Sequence, residues 1–384
     1  MNSRNTLPLE GLTVVAIEQA VAGPFCTARL ADAGATVIKI ERPEGDFARG
    51  YDDVVDGQSS YFVWLNRGKR SIVMDLTIEE DLAALKALIA DADVLVQNLK
   101  TGAMAKLGLS AESLLEAYPE LIVCSISGYG DEGPLSRRKA YDLLVQAESG
   151  LSSITGSPDA PARVGISMVD IATGATAHAA ILESLLARER TGCGADIRIA
   201  MFDVIAEWMT VPLLHEEGGR TPSRIGLGHP SIAPYSVFRS ADDHEVLISI
   251  QSDREWKSFA RTLLGDPGLG SDARFSTNVA RVRHRAETDA LVAKAFSALN
   301  RDALIQALNQ ADIAFAEVND MAALSRHPHL RRIALETPGG TVRVPAPGAT
   351  IRGETRTYGR VPGLGEHGVG HIAASPWGEL IHAE

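Results

Sequence analysis

Asp170 is the first residue whose type and setting suggest chemistry. In "VGISMVDIATGATAHAAILESLLARERTGCG", from Val164 to Gly194, it stands where an apolar, strand-like run gives way to a long helix. As a helix N-cap it would accept backbone N–H bonds and stabilise the fold by about 1 kcal/mol. The same place suits a nucleophile, because the helix dipole and its free N–H groups keep a carboxylate ionised. A nucleophilic carboxylate needs that state near neutral pH. Spacing alone leaves both readings open and weights them toward the cap. The small residues that follow, "ATGATAHAA", would let a ligand or another chain approach the helix start closely. His178, two turns on, reads as an interior packing residue rather than a catalytic one.

Basic residues recur beside the strand-like runs. Arg42 comes directly after one, "NRGKRS" supplies Arg67, Lys69 and Arg70, Lys106 follows "QNLKTGAM", and "SRRKAYD" carries Arg137, Arg138 and Lys139. Ligands of parallel sheets bind outside the carboxyl ends of the strands. These loops are therefore expected to converge into a positive pocket suited to a phosphate-bearing ligand, on a chain whose net charge is -12.

The elements that must hold these residues alternate. "TVVAI" (13–17), "TVIKI" (36–40), "SIVMDL" (71–76), "DVLVQN" (93–98) and "LIVCSIS" (121–127) read as strands, with helices from Gly23-Pro24 to Ala33 and over 78–90 and 110–117. That is the pattern of βαβ units and a parallel sheet. A Gly/Pro-rich stretch, "TPSRIGLGHPSIAP", then breaks the rhythm. Beyond it come a strand at 245–251, helices near 253–264, 283–298 and 301–310, and a short strand at 313–320 leading into a helix. The expected fold is α/β: a Rossmann-like large domain over 1–220, a smaller α+β domain over 221–330, and a segment, 331–384, whose "VRVPAPGA" and "VPGLGEHG" loops return to the first domain.

Composition narrows the class. With 384 residues, 45% hydrophobic and 22% charged, the chain reads as a soluble two-domain enzyme. Its acidity argues against nucleic-acid binding. Three scattered cysteines suit a reducing cytoplasm, and neither a signal peptide nor a membrane span is recognisable. GxGxxG is missing from the first turn, "EQAVAGPFC", and GxSxG, GxxxxGK[ST] and HExxH do not occur, so a nicotinamide cofactor and a metal are not expected.

The residues also resemble a known family in order. "LEGLTVVAIEQAVAGPFCTARLADAGATVIKIERPEGDFARG", "RGKRSIVMDL", "DVLVQNLKTGAMAKLGL", "CSISGYGDEGPLSRRKAYDLLVQAESGL", "VDIATGATAHAAILESLLARERTGCG" and "VPGLGEHG" are similar to the class III CoA-transferases, the CaiB/BaiF or formyl-CoA transferase family. The resemblance implies that Asp170 is the catalytic aspartate, forming a mixed anhydride with the acyl group and then an aspartyl-CoA thioester. It places Arg42 and Asn98 at the ADP pocket and Lys139 at the CoA phosphates. Val21, Ala22, Met74 and Leu99 stand at backbone or apolar contacts to CoA. Lys106 stands where formyl-CoA transferase has an arginine, keeping the charge without the bidentate fork. Tyr51, Tyr61 and Tyr141 fall near the acyl group. Coenzyme A is then a cosubstrate, no cofactor is tightly bound, and the chain forms an interlocked homodimer.

The same family holds α-methylacyl-CoA racemases, which use a histidine where this chain has Tyr141 in "AYD". Tyrosine, with an unperturbed pKa near 10, is a poor base at neutral pH, so the resemblance favours transfer. The glycine-rich flap of formyl-CoA transferase is replaced by "RIGLGHPSIAPY", whose Gly226 and Gly228 are expected to let the loop close over the acyl group. Glu366 and His367 read as a turn that docks the tail. The detailed motifs are most similar to enzymes of C4–C5 dicarboxylates, moving CoA from succinyl-CoA to mesaconate, itaconate, malate or citramalate. Arg49 or Arg224 would meet the distal carboxylate. The alternatives are a racemase-like isomerase and a non-catalytic CoA-ester binding protein.

Overall fold

Thr13–Ile17 is buried along its whole length, which makes it an inner strand (β1) of a sheet covered on both faces. The structure, a computed structural model, describes residues 7–368. Around β1 lie β2 (Thr36–Glu41), β3 (Lys69–Val73), β4 (Val94–Gln97), β5 (Ile122–Ser127) and β6 (Ala195–Ala200), in the order β3-β2-β1-β4-β5-β6. Every pair is parallel. This is the doubly wound order, with its topological switch between β1 and β4.

Alternate residues of one strand serve opposite faces. Val14, Val37, Val94 and Val96 pack with helix α1 (Ala22–Asp32) and with Ala177, Ile181 and Leu185 of a long helix, Met168–Thr191. Val15, Ile17, Ile38, Ile40 and Leu95 pack on the other face against Leu85, Leu88 and Ile89 of the helix Glu79–Ala90. Burying both faces fixes the sheet and aims its carboxyl-terminal loops.

Several elements depart from the sequence reading. β6 was not expected, because the edge strand "ADIRIA" alternates apolar residues with Asp196 and Arg198, which pair at 2.7 Å on the exposed side. β3 starts at Lys69, two residues before the expected run, since the buried Lys69 and Ser71 belong to it. The tail expected as loop contains an antiparallel hairpin, Arg332–Thr337 with Gly340–Pro345, so Val342–Pro345 is strand. "VPGLGEHG" does dock as a turn: the Gly365 N–H donates to Ser71 Oγ and the His367 N–H to Ser71 O, both at 3.0 Å.

The chain divides into two compact units. One runs to Leu151, resumes over Arg163–Val211 and takes the chain from Arg331 onward; the other holds Ser152–Ala162 and Pro212–Leu330. The sequence reading kept 152–162 and 212–220 in the first domain. Backbone bonding groups the former with the second unit: Gly226 N–H donates to Gly156 O at 3.0 Å, and Arg224 donates to the carbonyls of Ser153, Ser157 and Pro158. The second unit has a three-stranded antiparallel sheet, which includes the unexpected strand Tyr235–Arg239. Its apolar core gathers Trp256, Phe259, Phe296 and Leu304.

Candidate active site

β1 ends at Ile17, and the chain must turn sharply to enter α1 at Ala22. Ala20 takes a left-handed conformation there (φ 64°), which a non-glycine residue keeps only when its surroundings hold it. They do. Asn98, just past β4, accepts from Gln19 N–H at 2.9 Å and donates back to Gln19 O at 2.8 Å. From the loop after β2, Asp46 accepts from Ala20 N–H at 3.0 Å. Asp46 also takes Lys39 Nζ at 3.0 Å, and Lys39 and Lys69 share Glu18, all of them buried.

Helix α2 (Asp142–Glu148) meets the long helix, α3 (Met168–Thr191), at Asp170. Asp170 is not the N-cap. It is the third residue of α3, and the cap position is Ser167, whose side chain makes no capping bond. The cap comes from α2: Asp142 Oδ1 accepts from Val169 N–H at 2.8 Å and from Asp170 N–H at 3.3 Å. Gln146 Nε2 donates to Asp142 Oδ2 at 2.6 Å, while Gln146 Oε1 accepts from Val164 N–H at 2.9 Å. The Asp170 carboxylate itself finds no hydrogen-bond partner among the described residues.

Asp170 faces a cavity of about 580 Å³ built wholly from the first unit, at the switch point of the sheet. Val21, Ala22, Asn98, Leu99, Lys139, Tyr51, Tyr61 and Tyr141, all expected from sequence, line it with Asp170. The wall also carries Gln19, Phe47, Lys100, Arg137, Arg138, Asp142 and Arg163. Arg137 and Arg138 belong to the expected basic loop. Asp142 sits beside Tyr141 in "AYD", and Arg163 lies seven residues before Asp170; each was within reach of a closer reading of the residues flanking the known positions.

Other expected residues lie elsewhere. Met74 is 2% exposed, its side chain in the apolar core and its N–H on Glu41 O. Lys106, at the end of a four-residue helix, is exposed and off the wall. Arg42 is bonded to Gly45 O and lies 5.7 Å over the ring of Phe47, which puts it beside a wall residue rather than on the wall. Gly226 and Gly228 are in the second unit. Arg67 is paired with Asp32, and the buried Lys69 Nζ stands 2.7 Å from Glu18 Oε1. Arg67 precedes β3 and Lys69 is its first residue, so both lie at the amino end of the strand, away from the loops that build the pocket.

The guanidinium groups of Arg49 and Arg224 are likewise engaged. Arg49 grips Glu41 through two bonds of 2.8 and 2.7 Å and stacks 3.6 Å over Phe62. Arg224 spends its donors on three carbonyls.

Electrostatics overturn one expectation. Burial, and then the neighbouring Asp142 carboxylate, push the Asp170 carboxyl up to about 7, so the helix start does not hold it fully ionised at neutral pH. Burial, followed by the charges of Asp46 and Asp170, raises the Tyr51 hydroxyl to about 12. Tyr51 and Tyr61 meet edge to face at 5.4 Å. His178 is pushed down to about 4 by burial and then Arg29, and stands off the wall as a neutral packing residue. The small residues after Asp170 admit α1 rather than a ligand: Gly174 lies against Ala22 and Phe25.

Residues 9–368 match CoA-transferase family III. The chain is 35% identical over 376 residues to the succinate–glutarate CoA-transferase of Agrobacterium fabrum, covering 94% of both chains. It is 36% identical over 367 residues to the acetyl-CoA:oxalate CoA-transferase of Acetobacter aceti, again covering 94% of each. Among solved structures, an aspartate-to-alanine mutant of Rv3272 from Mycobacterium tuberculosis superposes with a TM-score of 0.86 at 29% identity, over 97% of this chain and 100% of the other.

Proposed function

The chain belongs to CoA-transferase family III and is a CoA-transferase, and from that premise we propose that it moves CoA from succinyl-CoA, or another dicarboxylyl-CoA, to a free C4–C5 dicarboxylic acid. Mesaconate, itaconate, malate and citramalate are the acceptors of that class to be tried, along with glutarate. One observation carries the reading: Asp170 faces a cavity whose wall bears five cations on an acidic protein. The dicarboxylate assignment is supported by the acids in the names of the relatives: succinate and glutarate for one, oxalate for the other.

The cycle begins when ionised Asp170 attacks the donor thioester. A bond forms between its oxygen and the acyl carbon, and the C–S bond breaks to free CoA thiolate. The thiolate then attacks the aspartyl carbonyl, the donor acid leaves as a carboxylate, and aspartyl-CoA remains. The acceptor carboxylate runs these steps in reverse. One thioester replaces another, so no net proton is taken up and little energy is required. Lys100, Arg137, Lys139 and Arg163 hold the phosphate-bearing end, and this remote binding sets the sulfur against Asp170. Tyr51, Tyr61, Tyr141 and Phe47 wall the acyl group; Tyr51 keeps its proton and can donate to a carbonyl oxygen. Val21, Ala22 and Leu99 supply apolar and backbone contact, and Asn98 holds the Gln19–Ala22 loop in place for it.

We place the enzyme in the cytoplasm as a homodimer with interlocked chains. Exposed Leu143, Leu144, Ile166, Leu186 and Trp208, on and beside the helices that meet at Asp170, are the apolar surface a second copy would cover.

The test is incubation with candidate acyl-CoAs followed by mass analysis of peptides spanning 164–188. A hydroxylamine-sensitive CoA adduct on Asp170 supports the chemistry; full turnover by an Asp170→Ala variant removes it. A racemase-like reading draws on the raised Asp170 carboxyl, which suits proton abstraction. It predicts exchange of the α-proton with deuterated water in the absence of any acceptor acid. A non-catalytic binding protein would form no adduct and would bind CoA esters unchanged after Asp170→Asn.

A further inference from the structure

We propose that Asp142 is a positioning residue that drives negative charge off Asp170: its carboxylate fixes the Asp170 backbone and, by repulsion, favours the covalent aspartyl state over the free carboxylate. The proposal rests on Asp170 being the group acylated. Asp142 holds the helix start that presents Asp170, through Val169 N–H and Asp170 N–H, and Gln146 locks its second oxygen. A neutral Ser, Thr or Asn would cap as well. An acidic cap beside a carboxylate adds what those cannot, a like charge within interaction range.

The groups around Asp170 leave that charge largely uncompensated. Tyr51, whose hydroxyl is raised to about 12, shares the wall with Tyr61, Tyr141 and Ser167, and His178 on α3, pushed down to about 4, is neutral near pH 7. The cations on the wall are Lys100, Arg137, Arg138, Lys139 and Arg163; of these Arg138 is paired with Glu148, and Arg163 Nε is bonded to Val164 O. On Asp170 the causes of the upward displacement are burial and Asp142, with no cation among them.

The chemistry shows what the repulsion achieves. Acyl-CoA and the Asp170 carboxylate give aspartyl-CoA and the donor carboxylate: the C–S bond breaks, a new thioester forms at Asp170, and the negative charge departs with the donor acid. Before the exchange the charge of Asp142 acts on a second carboxylate; afterwards it acts on a neutral thioester. Asp142 therefore raises the free state relative to the covalent one and quickens the loss of charge from Asp170.

Two uncharged variants test this. Asp142→Asn keeps an oxygen for both N–H groups, and Asp142→Ser is a second neutral acceptor should the first fold poorly. Adduct formation on Asp170 is followed from pH 4.5 to 8.5 with succinyl-CoA, alongside the ionisation of Asp170 read by carbon-13 NMR of labelled aspartate. The wild-type acid limb should lie near pH 7. In the variants it should fall by at least about one unit, a tenfold change in proton affinity, and the ratio of covalent to free enzyme at saturation should drop about tenfold. KM for the CoA ester should stay within about twofold, because Asp142 acts on Asp170 rather than on the phosphates. Unchanged midpoint and adduct ratio in the variants would overturn the proposal. A wild type that forms no adduct at any pH would overturn the transferase chemistry instead, while the NMR titration still tests the coupling of Asp142 to Asp170.

Discussion

Ala22 and Gly174 meet backbone to backbone: a β-carbon on Gly174 would stand 2.5 Å from the Ala22 carbonyl oxygen and 3.0 Å from Phe25 Cβ. The helix that carries Asp170 thereby seats the Gln19–Ala22 segment, which lines the same cavity. Gly174→Ala must push α1 away, and overpacking of this kind costs about 1–3 kcal/mol. Urea unfolding should show that loss, and KM for CoA esters should rise because Val21 and Ala22 move with α1.

Asp170→Asn separates activity from stability. If Asp170 is the nucleophile, as proposed, kcat should fall by a factor on the order of 10⁴ or more. The folded carboxyl titrates near 7 against 3.8 as its ordinary value, so the folded state binds the proton more tightly. Wild-type stability from this group is therefore undiminished below pH 4 and is lost as pH rises toward 7 and beyond. The variant should match wild type near pH 4 and exceed it at pH 8, by on the order of 2 kcal/mol after discounting partial exposure. Urea midpoints at the two pH values check the sign.

Glu41 moves the other way. Burial would raise its carboxyl, but hydrogen bonding from Arg49 and the charges of Lys39 and Arg49 prevail and hold it at about 2, against an ordinary 4.5. This contributes roughly 3 kcal/mol of stability, present above pH 4.5 and lost as pH falls through 2. Glu41→Gln should flatten the decline between pH 4.5 and 2 in an acid-unfolding series. Arg49→Ala removes the ion pair of the buried Glu41, leaving its carboxylate only the bonds from Ser71 Oγ and Asp46 N–H and the charge of Lys39, and should cost about 3 kcal/mol at neutral pH.

The cations on and off the wall should separate in kinetics. Lys139→Ala and Arg163→Ala, each removing a cation from the wall proposed to hold the phosphates, should raise KM for the CoA ester about tenfold. Lys106→Ala, exposed and away from the cavity, should change it less than about twofold. Initial-rate titrations of the three variants give the comparison, and equal effects would contradict the cavity as the CoA site.

Much of the large unit was legible because its signals are local. "TVVAI" and "TVIKI" are short apolar runs between turn residues, and buried parallel strands read that way at any position in a chain. The edge strand 195–200 and the 332–345 hairpin were missed for the same reason: half-exposed strands alternate with charge and lose the apolar run. Among the expected residues, Val21, Ala22, Asn98, Leu99, Lys139 and Tyr141, from the segments after β1, β4 and β5, line the cavity that Asp170 faces, whereas Lys106 does not. Lys69 was placed badly because a cation's position along the chain does not say whether it reaches solvent or a buried Glu18.

The sequence by itself determined an alternating α/β chain, an aspartate at a helix start and a surplus of cations in particular loops, since hydrophobic period and turn chemistry act over a few residues. Tertiary structure alone decided that Asp142, 28 positions away, caps that helix, that α1 occupies the small-residue stripe, and that Asp170 titrates near neutrality. Burial and the field at a carboxylate depend on distances through space, and those exist only once distant segments of the chain have been packed together.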